Sequence, residues 1–586
     1  MPRTLLCTTC HKELLTSDIP PDSPFRDVLH SSRVPSESDI PRIKQVLAES
    51  LVDLAKYDAH IEGLMGIVAE LQQKRADLKK YVDEHRNLLS SMRRFPSEIL
   101  GEIFDFCCSK HGLSVYGTTL LGDFQVNAPT LHLSQTCSRW RDVAISSPSL
   151  WSQMTVNFTY PRVCRAKPLI ELYLFRSKSA PLSLRLASFG TPSGGPEDTE
   201  HLYAISVLSL LLSAAERWEH VDLDTSHYVD FNLFPDSRVI PPNCPLLKSL
   251  KLTLNANWNF RAEDQLWLES LVENANSLRK LTLSDLDTDI QTSFKNNRIT
   301  SLQLYDNDHG FLLGFVEDVF RLFPHLQHLD ITLGEPRVAE LFSNQTSELR
   351  STILKSLTVR IASWDLRWIS HVLSSLQLPS LVSLELLVKR GLDIDIDSLM
   401  PSLETMFRQS SPSLHSFKID SGHSLTSIQL SDILSWMPLL TYLSINVIPT
   451  ILHEGVLAQL TYIPGFNYPT YASENSTSSV LLPRLKSMEI SINFETNVEE
   501  FLPDMDSIIA MIESRIPHPS SADNGHYDSL VDKLSHLTVL IPYFRDNSER
   551  AWAEEFRAVL KKRLQKHMNQ GFTCTVTLGE ASSSCS

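Results

Sequence analysis

The chain has 586 residues, 42% of them hydrophobic, with 53 Lys and Arg against 69 Asp and Glu, a formal net charge of −16. That apolar share excludes wholesale disorder, and a pI near 5.7 argues against a nucleic-acid clamp or a binder of anionic membranes, both of which need a basic surface. Length alone suggests about four domains, unless internal repeats build one elongated array.

Nine cysteines are scattered without a disulfide spacing, which fits a reducing, intracellular compartment and does not choose between cytoplasm and nucleus. The first residues lack the apolar run of a secretory leader. The most apolar window, 204–215, carries three serines and is about two turns short of a membrane span. A soluble intracellular protein is expected.

Residues 1–39 are rich in Pro and Ser with little periodicity, and read as a disordered segment. From residue 40 the pattern changes. Ile40, Leu47, Leu54, Ile61, Val68, Arg75, Val82 and Leu89 fall seven apart, and Ile43, Tyr57, Leu64, Leu71 and Leu78 fill the second seam, interrupted by Ser50 and His85. This heptad stripe over 40–92 predicts a long amphipathic helix. Its seam is open to two uses: a coiled-coil homodimer, or packing against the chain's own body. Gly63 and Gly66 weaken its middle by about 1 kcal/mol each.

Residues 93–155 read as a small helical module. Pro96 suits the start of a helix, where its missing N–H costs nothing. Ile99, Ile103 and Phe104 form an apolar edge, and Leu133, Cys137, Trp140 and Ala144 a second helical stripe. Between them, 107–130 contains Gly112, Gly117 and Gly122 and is expected to be an inserted loop.

From 156 to 578 a different rule holds. The frame apolar-x-x-apolar-x-apolar recurs as Trp218/Val221/Leu223, Leu247/Leu250/Leu252, Leu278/Leu281/Leu283 and Ile299/Leu302/Leu304. It continues as Leu326/Leu329/Ile331, Leu354/Leu357/Val359, Leu381/Leu384/Leu386, Leu414/Phe417/Ile419 and Leu440/Leu443/Ile445. Two further copies, Leu485/Met488/Ile490 and Leu534/Leu537/Val539, are more widely spaced. Eight steps over 222 residues give a mean near 28. One short strand and one helix per step, with 312–322 and 366–376 among the helices, is the period of a leucine-rich-repeat solenoid.

The array is irregular, because the asparagine that follows each frame in such repeats is present only at Asn255 and Asn307. Segments 188–200, 461–480 and 515–529 look like exposed insertions, and 579–586 like a loose tail. The residue between the paired apolar positions points away from the core. That column is Asp222, Lys251, Thr282, Gln303, Asp330, Thr358, Glu385, Lys418, Ser444, Glu489 and Thr538, with Tyr305 and Arg360 beside it. It is open to two readings, a solvated face or the concave recognition surface of the solenoid.

The fold class expected is therefore an α+β or α/β solenoid preceded by a helical module and a heptad helix. Cys7-Thr8-Thr9-Cys10-His11 is half of a zinc site with no second half at suitable spacing. His453-Glu454 lacks the second histidine of a zincin helix, and no nucleophile elbow, phosphate loop or dinucleotide fingerprint occurs. No catalytic residue, cofactor or metal is expected.

Residues Phe95-Pro96-Ser97-Glu98-Ile99-Leu100 through Phe104, then Thr136-Cys137-Ser138-Arg139-Trp140, then Leu150-Trp151 resemble the F-box. The whole chain is similar to fungal F-box proteins with leucine-rich-like repeats. The match departs at Phe95, where the family has Leu, at Thr136, where it has Val, and in the longer 107–130 stretch. The resemblance implies a module docked on the Skp-type adaptor of a cullin–RING ubiquitin ligase, with repeats that hold the protein to be ubiquitinated. It implies Phe95, Pro96, Ile99, Leu100, Ile103 and Phe104 as adaptor contacts, with Leu133 and Trp140 completing the module. Read from the residues alone, Ile99, Ile103, Leu133 and Trp140 are equally well the module's own core. The alternative function is a repeat scaffold outside any ligase, partnered through the heptad helix.

Overall fold

A computed structural model describes residues 3–5, 13–15, 23–108, 112–117, 124–157, 166–187, 199–224, 243–253, 262–284, 298–305, 319–334, 349–364, 366–389, 396–420, 425–447, 460–461, 481–492, 505–516, 532–541, 547–569 and 571–579. Most of the insertions and the tail expected above lie outside these, as do the Cys7–His11 motif, Asn255, Asn307 and His453-Glu454. The chain divides into two compact units, 1–100 and 101–586.

In the first unit, 1–39 was expected to lack regular structure. It carries two three-residue strands, β1 (Arg3–Leu5) and β2 (Glu13–Leu15), paired antiparallel. A four-residue helix, α1 (Arg26–Leu29), has no buried residue. The heptad segment is one helix, α2 (Ile40–Leu88), 49 residues long. None of its described side chains is buried. Seam residues Leu47, Leu54, Ile61, Val68, Leu71 and Leu78 are 51–64% exposed.

The second unit is built on one sheet of sixteen strands among the described residues. Its first half comprises β3 (Leu113–Gly117), β4 (Phe124–Asn127), β5 (Gln153–Asn157), β6 (Leu182–Ala187), β7 (Trp218–Asp224), β8 (Ser249–Thr253), β9 (Lys280–Ser284) and β10 (Ser301–Tyr305). The second half comprises β11 (His328–Leu333), β13 (Ser356–Ile361), β15 (Ser383–Val388), β16 (Ser416–Asp420), β17 (Tyr442–Val447), β18 (Ser487–Ile492), β19 (His536–Ile541) and β20 (Thr573–Leu578). Two short strands outside it, β12 (Leu349–Arg350) and β14 (Leu376–Gln377), pair with each other. From β5 onward every pairing is parallel and follows chain order.

Parallel neighbours need a crossover between them, and helices such as Ala262–Asn274, Leu366–Ser375, Met400–Ser410 and Asn547–Met568 provide it. Leu271, Ile369, Leu403 and Phe556 of these helices are at most 3% exposed. The frames stack in register: Leu250 lies beside Leu281, then Leu302, Leu329, Leu357, Leu384, Phe417, Leu443, Met488 and Leu537. All residues of the eleven frames are buried, none more than 6% exposed. Burying a Leu or Ile side chain contributes about 1.5–3 kcal/mol, so these columns are the dominant stabilising element.

Other side chains do the inter-repeat work that an asparagine ladder does elsewhere. Arg515, 3% exposed, donates to the carbonyls of Leu460, Leu482 and Leu481 at 2.7, 2.9 and 2.6 Å. Arg217 donates to the Ala180 carbonyl and the Ser177 hydroxyl. Ser277 and Ser380 donate to the carbonyls of Pro245 and Thr352 at 2.6 and 2.7 Å. At Arg515 this satisfies loop carbonyls that would otherwise be buried without a donor.

Two expectations need correction. The stretch 107–130 is not a simple loop: β3 and β4 form an antiparallel hairpin, and β3 pairs with β5. Leu113 and Val115 are fully buried, so alternation of apolar residues overrides the glycines. The sheet therefore starts at β3, ahead of residue 156, and Trp151/Met154/Val156 is a further copy of the frame, all at most 2% exposed.

Gly112 is required by the close approach of β3 to β5. A Cβ there would sit 2.3 Å from the Gln153 carbonyl oxygen. Gly112→Ala is expected to destabilise the second unit by about 1–3 kcal/mol, measured by chemical denaturation, while an Ala at the open Gly66 position is expected to be tolerated.

Candidate functional site

The module ahead of the sheet is assembled from five short helical elements. A 3-10 turn, Ser91–Arg93, is capped by Ser90, whose hydroxyl accepts from the Met92 amide at 3.3 Å. The helix α3 (Ser97–Cys108) follows. Pro96 stands just outside it, its carbonyl accepting the first helical bond from the Leu100 amide at 3.1 Å. Next come α4 (Pro129–Thr136), α5 (Ser138–Ser146) and a 3-10 turn, Pro148–Trp151.

The helix α3 has two apolar faces. Leu100, Phe104 and Cys108, at i, i+4 and i+8, are 0%, 1% and 4% exposed. Ile99 and Phe106 are 46% and 81% exposed, and Ile103 between them is half-buried. Spacing i, i+4, i+7 puts those three on one stripe. Pro96 is exposed and Phe95 half-buried. The eight residues implied as adaptor contacts thus separate. Pro96 and Ile99 are at the surface, Phe95, Ile103, Leu133 and Trp140 are half-buried, and Leu100 and Phe104 are interior. Leu100 and Phe104 have no surface with which to touch a partner, and their role as contacts is corrected to core.

Phe106 was missed by sequence reasoning; its place seven residues after Ile99 was the available signal. The second predicted stripe is broken rather than continuous. Cys137 is extended (φ −158°, ψ 170°) and ends α4, and its sulfur accepts from the Trp140 amide at 3.5 Å to cap α5. The hydroxyls of Ser134 and Thr136 bond back to carbonyls of their own helix at 2.7 and 3.2 Å, which weakens a helix at that point. The two halves still meet the core: the Phe104 and Trp140 rings lie 4.9 Å apart. Thr130 donates to the Leu150 carbonyl at 2.7 Å, and Trp151 donates to the Ala144 carbonyl at 2.7 Å. Trp151 also meets Tyr173 edge-on at 4.9 Å and carries the Arg176 guanidinium 4.4 Å above its ring. It therefore locks the module onto the first repeats.

The predicted polar column is in register along the whole sheet, from Asp222 beside Lys251 to Glu489 beside Thr538. Near its start lies a groove of about 360 Å³ lined by Gly112, Gln153, Arg185, His220, Asp222, Lys251, Lys280 and Gln303 among others. Arg185 and Lys251 flank Asp222 at 3.5 Å each. Burial pushes the Asp222 carboxyl up, and Lys251 and Arg185 oppose it. Farther along, Arg360 grips Asp330 with two bonds of 3.0 and 3.1 Å, and Tyr305 donates to the same carboxylate at 2.8 Å. Burial, then Asp330, pushes the Tyr305 phenol up to about 12. The Arg360 guanidinium also stands 5.5 Å from the Tyr305 ring. This cluster is a preorganised polar patch with one aromatic surface.

Among the described residues no group of three or more His, Cys, Asp or Glu side chains is placed to hold a metal ion. None of their helices is long and apolar enough to cross a membrane.

No family model matches the chain. No curated protein matches its sequence either. Among solved structures, a chain of the yeast Rad7–Elc1 complex aligns over 74% of this chain and 96% of its own, at 11% identity and a TM-score of 0.33. A Bacteroides fragilis protein aligns over 50% of this chain and 70% of its own, at 14% identity and a TM-score of 0.28. Neither likeness bears on function.

The two faces of α3 predict opposite outcomes. Phe104→Ala is expected to cost about 3–5 kcal/mol of stability. Phe106→Ala, at an exposed position, is expected to shift it by no more than about 0.5 kcal/mol. Urea unfolding of the two variants checks this.

Proposed function

We propose that the chain is a non-enzymatic substrate receptor of a Skp–cullin–RING ubiquitin ligase, with α3 as the adaptor-binding element. The observation that carries the reading is the apolar stripe of exposed Ile99 and Phe106 with half-buried Ile103 between them, preceded by Phe95 and Pro96, on a helix whose other apolar face, Leu100, Phe104 and Cys108, is buried. A stripe of that kind is left open to solvent at an energetic cost unless a partner covers it. The polar face of the repeat sheet, with the Arg185–Lys251–Lys280 groove and the Tyr305–Asp330–Arg360 cluster, is the surface offered to the target protein. The contribution to ubiquitin transfer is effective concentration: the target is held near the charged conjugating enzyme and no bond is made or broken by this chain.

The test is co-purification of the full chain with a Skp-type adaptor. Wild type is expected to co-elute with it on size exclusion. The Phe95→Ala/Pro96→Ala double variant and Ile99→Asp/Phe106→Asp are each expected to bind at least about 30-fold more weakly, the loss of a central apolar anchor. Wild-type binding by both double variants contradicts the assignment of α3. Failure of the folded wild-type chain to bind favours a repeat scaffold outside the ligase.

A further inference from the structure

The helix α2 exposes apolar side chains along its whole length: Ile40, Leu47, Leu54, Ile61, Val68, Leu71 and Leu78 of the seam are all at least 43% exposed. A seam of that length is the face of a coiled coil, and the charges beside it discriminate between the ways two copies can pair. In a parallel, in-register pair, Asp53 of one copy faces Asp58 of the other, and Lys74 faces Lys79. Both repulsions occur twice by symmetry. Arg75, a seam residue, also meets its own counterpart in the middle of the interface. No flanking pair of opposite charge compensates.

Running the second copy the other way changes this. With Ile61 opposite Leu64 of the second copy, Leu54 meets Leu71 and Leu47 meets Leu78. In the same register Arg75 and Ser50, two of the three polar residues of the seam, face each other, while His85 faces Ile40. Asp53 then stands beside Lys74 of the second copy, and this attractive pair occurs twice. The cost is one kind of like pair, Lys44 with Lys79, which by the same symmetry also occurs twice, toward the ends. Among the described residues, Asp53 and Lys74 pair within the chain with Lys56 and Glu70 at exposed helical positions, pairs that contribute little and can be exchanged for an interchain one.

We propose that α2 joins two copies of this chain as an antiparallel coiled coil in the register that pairs Asp53 with Lys74. The proposal does not depend on the adaptor reading. An antiparallel arrangement sends the C-terminal ends of the two α2 helices to opposite ends of the coil, so that whatever follows each helix is separated by the length of the coil.

Sedimentation equilibrium of the full chain tests it, with Lys74→Glu as the diagnostic variant. The substitution turns two attractions into repulsions in the antiparallel pair, and is expected to weaken the dimer about tenfold. In a parallel pair it replaces Lys–Lys repulsion by attraction to Lys79 and tightens the dimer. Cysteine cross-linking provides a second readout, since no native cysteine lies between residues 40 and 92. A disulfide-linked dimer absent from wild type is expected when Leu47→Cys and Leu78→Cys chains are mixed, and from neither alone. A monomer at all concentrations overturns the proposal. So does a dimer that Lys74→Glu tightens or leaves unchanged, or a cross-link formed by either cysteine variant alone.

Discussion

The second unit depends on one repeated contact. In each parallel strand two apolar residues, two positions apart, point to the same side and stack on their counterparts in the next strand. Leu281 and Leu283 are both fully buried, and so are Leu302 and Leu304 beside them. Each strand alone buries too little to hold itself in place; stacking turns the copies into one continuous core. The helices, the inter-repeat arginines and the edge hairpin are arranged around that column.

Much of this was legible from spacing. Eleven frames, the parallel order and the polar column follow from one rule applied to the sequence, because strand side chains alternate with period two. Four features were not legible, each for a physical reason. Trp151 belongs to the helical module as well as to the frame Trp151/Met154/Val156, and its place beside Leu150 hides the frame. The hairpin at β3 and β4 was hidden by glycines, which outweighed a short run with only Leu113 and Val115 as apolar anchors. The break at Cys137 left no mark in the apolar period, since Leu133, Cys137, Trp140 and Ala144 keep helical spacing in the sequence across it. The arginines that replace the asparagine ladder could not be assigned from sequence, because Arg515 reaches carbonyls 33 to 55 residues away.

The candidate site was half legible. The motif residues do gather on and around α3, but the sequence could not tell which of two adjacent apolar stripes is turned inward. Leu100 and Phe104 pack inside while Ile99 and Phe106 stay exposed, a rotation of about 100° per residue on one helix. The distinction matters chemically. An interior Phe contributes stability, whereas an exposed one contributes affinity for whatever covers it. The same helix thus joins the fold to the proposed docking surface, and Trp151 ties that module to the first strands of the sheet that would carry a target.

The central claim is that α3 is covered by a Skp-type adaptor. Hydrogen–deuterium exchange of the full chain, with and without the adaptor, tests it most directly. The account predicts slowed exchange over residues 95–106 on adaptor binding, with the repeat strands unchanged. Protection confined to α2 or to the polar face of the sheet, with 95–106 unaffected, would contradict it.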